Sequence, residues 1–127
     1  MIFVGGSDAT VLREFNLSTK SFVATGSNGD GFYVPEAKSA VSWVNENCLL
    51  VGTDLKDEKS LTSSGYPRVV RLWRRGSPLE ESVVIYEGAE SDVSVNGYVV
   101  SMDYQCSVLL GFSLYNGEYV LLIIDYP

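Results

Sequence analysis

The sequence has no histidine, two cysteines, four prolines and nine basic residues against sixteen acidic ones. Each shortage excludes something. Without an imidazole to serve as general base, a Ser-His-Asp triad cannot be assembled from these residues. There is no Gly-x-Ser-x-Gly elbow either. Two cysteines, Cys48 and Cys106, are too few for the disulfide framework of a small secreted domain. Both lie in apolar runs, which favours buried thiols over a bridge. A net charge of −7 disfavours nucleic acid, whose phosphates demand a basic face, and an anionic membrane surface. Long hydrophobic runs are also missing. The longest, "YVLLII" at 119–124, falls far short of the ~18 residues of a transmembrane helix. "MIFVGG" lacks the basic n-region of a signal peptide. The expectation is a soluble cytoplasmic protein with no cofactor, no nucleic-acid partner and no membrane association.

What is present reads as an all-β chain. Its 127 residues suit a single domain able to bury its own core. With 46 % apolar and 20 % charged residues it is globular rather than disordered. Helical periodicity is nearly absent. Short runs of Val, Ile, Leu, Tyr, Phe and Thr alternate with Gly, Asn, Asp, Ser and Pro. They predict strands at 2–4, 10–16, 21–24, 40–44, 48–53, 69–74, 83–87, 95–101, 107–114 and 119–124. "NLSTKSF" at 16–22 predicts a hairpin turn on Asn16, Ser18 and Thr19, whose side chains bond local backbone. "VNENC" at 44–48 predicts a tight turn, and Asn116-Gly117 carries the strongest short hairpin signal. Two longer connections, 25–38 and 54–67, read as surface loops, the second long enough to project from the sheet.

The turns join consecutive strands, so the sheets should be antiparallel meanders. Four strands between 40 and 87 form one such sheet, with three strands before it and three after. Repeated four-stranded meanders look like propeller blades. The expected fold is a partial β-propeller of two to three blades within a single domain, 1–127. One blade is complete near 40–87 and incomplete blades flank it. The alternative is a compact β-sandwich or barrel-like rearrangement in which the first and last strands pair.

Several stretches invite sharper chemistry. "GSNGDG" at 26–31 has the glycines of a phosphate cradle but no following Lys-Ser/Thr and no helix, so it reads as a turn. Asp54, Asp57 and Glu58 lack the spacing of a calcium loop and read as a solvated loop. Lys38-Ser39 and Cys48 lack a positioned base and an oxyanion hole. Arg68, Arg71, Arg74 and Arg75 either bind an anion or pair across strands with carboxylates such as Glu81 or Glu87. Tyr33, Tyr66, Tyr98, Tyr104 and Tyr115 lie near loops, as partner anchors or as half-buried strand ends. The expected binding surface, for a peptide or protein partner, is Tyr66, Arg68, Arg71, Trp73 and Arg75. No catalytic, cofactor-binding or metal-binding residue is expected.

Three stretches resemble the N-terminal β-propeller of the prolyl oligopeptidase family of serine peptidases: "GGSDATVLREFNLSTKSFV" at 5–23, "GFYVPEAKSAVSWVNENCLLVGTD" at 31–54 and "SLTSSGYPRVVRLWRRGSPLEESVVIYEG" at 60–88. The resemblance rests on Gly-Gly-x-Asp-Ala, Arg-Glu-Phe, Pro-Glu-Ala-Lys-Ser, Leu-Val-Gly-Thr-Asp, and Ser-Gly-Tyr-Pro-Arg before Trp-Arg-Arg-Gly. They occur in order and at close spacing. "ESDVSV" at 90–95 resembles the start of the next blade, and the likeness covers roughly residues 5 to 97. It implies enzymes with an α/β-hydrolase domain and a Ser-Asp-His triad. A propeller caps that domain and admits only small peptides, which are cut on the carboxyl side of proline. This sequence departs from the design by lacking histidine, the elbow and the strand-helix alternation of a hydrolase sheet.

The resemblance therefore implies an internal piece of the non-catalytic domain, without the early blades. One reading is a non-catalytic fragment that binds peptide or protein, or assembles. The second is the gating portion of a complete peptidase whose hydrolase domain lies outside this chain. The third is an unrelated all-β binding module. Open blades leave bare sheet edges, so a homo-oligomer formed through exposed strand edges is expected.

Overall fold

The computed structural model describes the backbone of residues 2–3, 8–102, 105–113 and 119–126, and side chains over 8–99. Among the described residues twelve strands run in chain order: β1 (Ile2–Phe3), β2 (Thr10–Arg13), β3 (Phe15–Asn16), β4 (Ser21–Phe22), β5 (Tyr33–Ala37), β6 (Ala40–Asn45), β7 (Cys48–Gly52), β8 (Val69–Arg74), β9 (Val83–Glu87), β10 (Ser94–Met102), β11 (Gln105–Ser113) and β12 (Tyr119–Tyr126). Every pairing is antiparallel. Among the described residues there is no α-helix, only two 3-10 turns at Gly26–Asn28 and Leu79–Glu81. No helix there is long and apolar enough to cross a membrane.

The strands form four open sheets: β1-β2-β5, the hairpin β3-β4, the meander β6-β7-β8-β9, and β10-β11-β12. Among the described residues β1 pairs with β2 and β12 with β11, and no pairing joins the first strand to the last. The meander is the centre of the molecule. Alternate residues of a strand point to opposite faces, and here both faces are covered. One face carries Leu49, Val51 and Trp73 against Leu12, Phe32 and Val34 of the first sheet. The other carries Cys48, Leu50, Val70 and Leu72 against Val95 of β10. That is why β7 is a continuous apolar run buried at every position, the signature of a strand covered on both sides.

The turns obey local chemistry. Asn16 Oδ1 accepts the backbone N–H of Ser18 at 2.9 Å and of Thr19 at 3.1 Å, which closes β3 onto β4. Asn45 Oδ1 accepts the N–H of Asn47 at 2.9 Å and turns β6 into β7. The Asn116-Gly117 turn lies outside the described residues.

Three features differ from the sequence expectation. β5 forms where a loop was expected. Pro35 cannot donate to a ladder, but β5 is an edge strand and Pro35 falls between Val34 and Ala37, where the register against β2 shifts, a position at which proline is tolerated. The strand expected over 10–16 breaks at Glu14, whose side chain is recruited elsewhere. The 54–67 connection is packed down rather than projecting. Ser60 and Thr62 are buried, Leu61 bridges Pro67, and Thr62 Oγ1 donates to the Val93 carbonyl at 3.0 Å.

Candidate functional site

The five residues expected to form a binding surface each engage a partner within the chain. Tyr66 donates its hydroxyl to the Asp8 carboxylate, and that bond pushes its phenol up. The Lys38 ammonium lies 4.4 Å from the Tyr66 ring centroid. Arg68 is buried. Its guanidinium donates to the Lys59 carbonyl at 2.9 Å, the Gly88 carbonyl at 2.8 Å and the Glu87 carboxylate at 2.7 Å, stapling the 54–67 connection to the end of β9. Arg71 donates to the Ser82 carbonyl at 3.2 Å. Trp73 is buried, with its indole N–H given to the Ser77 carbonyl at 2.8 Å. Of the two carboxylates expected to pair with arginine, Glu87 does so.

Arg75 is the hub the sequence did not show. It forms a bidentate pair with Glu14, 2.8 Å to each oxygen, and stacks 4.6 Å from the centroid of Phe32. It also donates to the Glu46 and Asp30 carbonyls. Glu14 additionally accepts the Phe32 N–H at 3.0 Å. The Arg75 hydrogen bonds hold the Glu14 carboxyl below the usual range, although partial burial opposes them. Bidentate Arg–carboxylate geometry is the strong form of this interaction. It ties the break between β2 and β3 to the end of β8, across 61 residues of sequence. Separation of that size explains why pairing rules for adjacent strands missed Glu14.

The acids at 54–58 make turns. Asp54 accepts from the Lys56 N–H at 2.7 Å and the Lys56 ammonium at 3.0 Å, and Asp57 accepts from the Lys59 N–H at 2.9 Å. Among the described residues no group of His, Cys, Asp or Glu could hold a metal ion. Cys48 is a free, buried thiol, pushed up by desolvation.

The arrangement does create a groove of about 710 Å³ between the 25–36 segment and the end of β8 with its following turn. Phe32, Trp73 and Leu79 form its buried floor, and Tyr33, Pro35 and Pro78 its exposed walls. Phe32 meets Trp73 edge-on, centroids 4.8 Å apart. Such a mainly apolar concavity is what a binding site requires. "GSNGDG" supplies one wall of it. Gly76, at φ +81°, turns the chain on the opposite side, a conformation that favours glycine.

No family model matches the chain. It is 40 % identical over 90 residues to an uncharacterized peptidase of Sinorhizobium fredii, covering 71 % of this chain and 12 % of that protein. It is 29 % identical over 113 residues to an uncharacterized peptidase of Rickettsia prowazekii, covering 86 % of this chain and 15 % of that protein. The chain thus spans less than a sixth of the curated relatives it matches. In structure it resembles a post-proline cleaving enzyme from Rickettsia typhi, with a TM-score of 0.69 and 21 % identity over 97 % of this chain and 20 % of that one.

Proposed function

This chain belongs to the prolyl oligopeptidase family of serine peptidases and has the open antiparallel sheets of a partial β-propeller, and from that premise we propose that it serves as a non-catalytic, substrate-gating segment. In this reading it performs no peptide hydrolysis itself. Its contribution is to shape access to a hydrolase domain carried by other residues. The supporting observation is the match itself: an all-β segment covering 12 % of a peptidase, in a sequence with no histidine to act as the base of a triad. The reading includes a cytoplasmic setting, supported by the unpaired Cys48 thiol.

Two experiments test it. The purified 127-residue chain should release no chromophore from a short proline-containing ester or anilide substrate. Cleavage that survives repurification would overturn the assignment. Exchanging the matched segment of the Sinorhizobium fredii peptidase for this chain should keep short-peptide cleavage while changing the largest peptide admitted. An exchange that leaves the size limit untouched would remove the gating role.

A second reading is favoured by one feature. β12, an apolar strand without charge from Tyr119 to Ile124, pairs only with β11 among the described residues. An unpaired apolar edge recruits another strand, so the isolated chain is expected to form a homo-oligomer through such edges. Light scattering on a gel-filtration peak decides it. A strictly monomeric mass at high concentration would count against assembly.

A further inference from the structure

The groove between 25–36 and the end of β8 has a chemistry of its own, and nothing in the gating reading uses it. Its floor of Phe32, Trp73 and Leu79 is buried and apolar. The Trp73 indole N–H is already donated to the Ser77 carbonyl, so the ring offers only its hydrocarbon surface. The volume suits two or three extended residues rather than a folded partner.

Charge decides what those residues are. Four acids and one base line the groove, Asp30, Glu36, Asp54 and Glu80 against Lys56. Two of the acids are engaged: Asp54 by the Lys56 ammonium at 3.0 Å and Asp30 by Arg75 at 3.9 Å. Glu36 and Glu80 are exposed and form no ion pair with another described residue. The groove therefore presents two uncompensated carboxylates above an aromatic floor. An anionic ligand would meet like charge on entry, whereas a cationic one is drawn in.

Both walls are already held. The Gly31 N–H donates to the Ala24 carbonyl at 2.8 Å, and the Ser77 hydroxyl to the Arg74 carbonyl at 2.7 Å. Preformed walls spare a ligand the cost of ordering them.

We propose that this groove binds a short extended peptide. Its apolar side chain would rest on Phe32, Trp73 and Leu79, and a flanking arginine or lysine would face Glu36 and Glu80.

The probe is acetyl-Arg-Leu-Arg-amide, titrated into the 127-residue chain by calorimetry, with acetyl-Glu-Leu-Glu-amide as its opposite. The expected result is saturable 1:1 binding of the basic peptide, weakened by salt, and none of the acidic one. Glu36→Lys with Glu80→Lys should weaken binding at least tenfold. Glu58→Lys with Glu90→Lys makes the same change in net charge at exposed positions outside the groove and should leave affinity within about twofold. Circular dichroism checks that both variants keep their strands. Absence of saturable binding, equal binding of the two peptides, or equal loss in the two double variants would overturn the proposal. The last result would show attraction to net negative charge alone.

Discussion

The meander β6–β9 and the segment before it, residues 10–37, are built from similar residues but held in different ways. The meander is covered on both faces, by Leu12, Phe32 and Val34 on one side and by Val95 on the other. The earlier segment leans on the meander from one side. Its hairpin β3–β4 has no buried residue at all. Phe15 and Phe22 stay about half exposed, packed edge-on with centroids 5.2 Å apart, and the Arg13 guanidinium lies 4.2 Å from the Phe22 centroid. The difference teaches where cooperativity should concentrate. A strand buried on both faces loses two layers of packing when it opens, whereas a one-sided element can detach by breaking a few polar and aromatic contacts.

The sharpest way to break the contrast is Leu50→Ala. Leu50 is 1 % exposed, so the change should cost about 2–5 kcal/mol, read as a fall in the urea midpoint. Cys48, in the same layer, should resist thiol reagents in the native protein and become reactive faster in this variant. Fast labelling of Cys48 itself in the unmodified protein, located by peptide mapping, would mean the central sheet is not sealed.

Glu14→Ala probes the tie between the two regions. It strips Arg75 of its bidentate partner and leaves the Phe32 N–H without its acceptor. Both side chains of the pair keep some solvent access, so the loss should be about 1–3 kcal/mol. Hydrogen exchange should rise in residues 10–37 more than in β7 and β8. A uniform rise would show the regions unfold as one unit.

The same pair gives a pH dependence. The Glu14 carboxyl is held low in the folded state, chiefly by the Arg75 hydrogen bonds. Its stabilising contribution is therefore complete above its unfolded value, ~4.3. It is lost as pH falls through the lower folded value. Asp57, lowered by the Lys59 N–H bond, adds in the same sense. The urea midpoint should drop between pH 7 and pH 3, and Glu14→Gln should shrink that drop. An unchanged drop would remove Glu14 from the account.

The smallest effect belongs to the hairpin. Phe22→Ala removes one ring of an exposed pair, worth about 0.5–1.5 kcal/mol. A larger global loss would show that the hairpin is docked more firmly than its exposure indicates.

Much of this was legible in advance. The four central strands, their meander order and the turns on Asn16 and Asn45 follow from alternation and turn chemistry. β5 was not legible, because Pro35 argues against a strand unless the strand is known to lie at a sheet edge. Nor could the 54–67 connection be seen to fold inward. Its composition is polar, but Ser60 and Thr62 find partners that appear only once distant backbone is in place. The partners of the five expected surface residues were hidden for a related reason. Arg68, Arg71 and Arg75 look available in sequence, yet each finds carbonyls or carboxylates contributed by other elements.

The sequence by itself determined the all-β class, the antiparallel connectivity, the family relationship and the absence of an imidazole base, since these depend on residue type and near-neighbour spacing. Tertiary structure alone decided which strand is buried on both faces, which arginine meets Glu14, and that 25–36 and the turn after β8 enclose an acidic, aromatic-floored groove. The physical reason is range. Local chemistry acts over a few residues, whereas burial and ion pairing depend on which distant segments the sheets bring together.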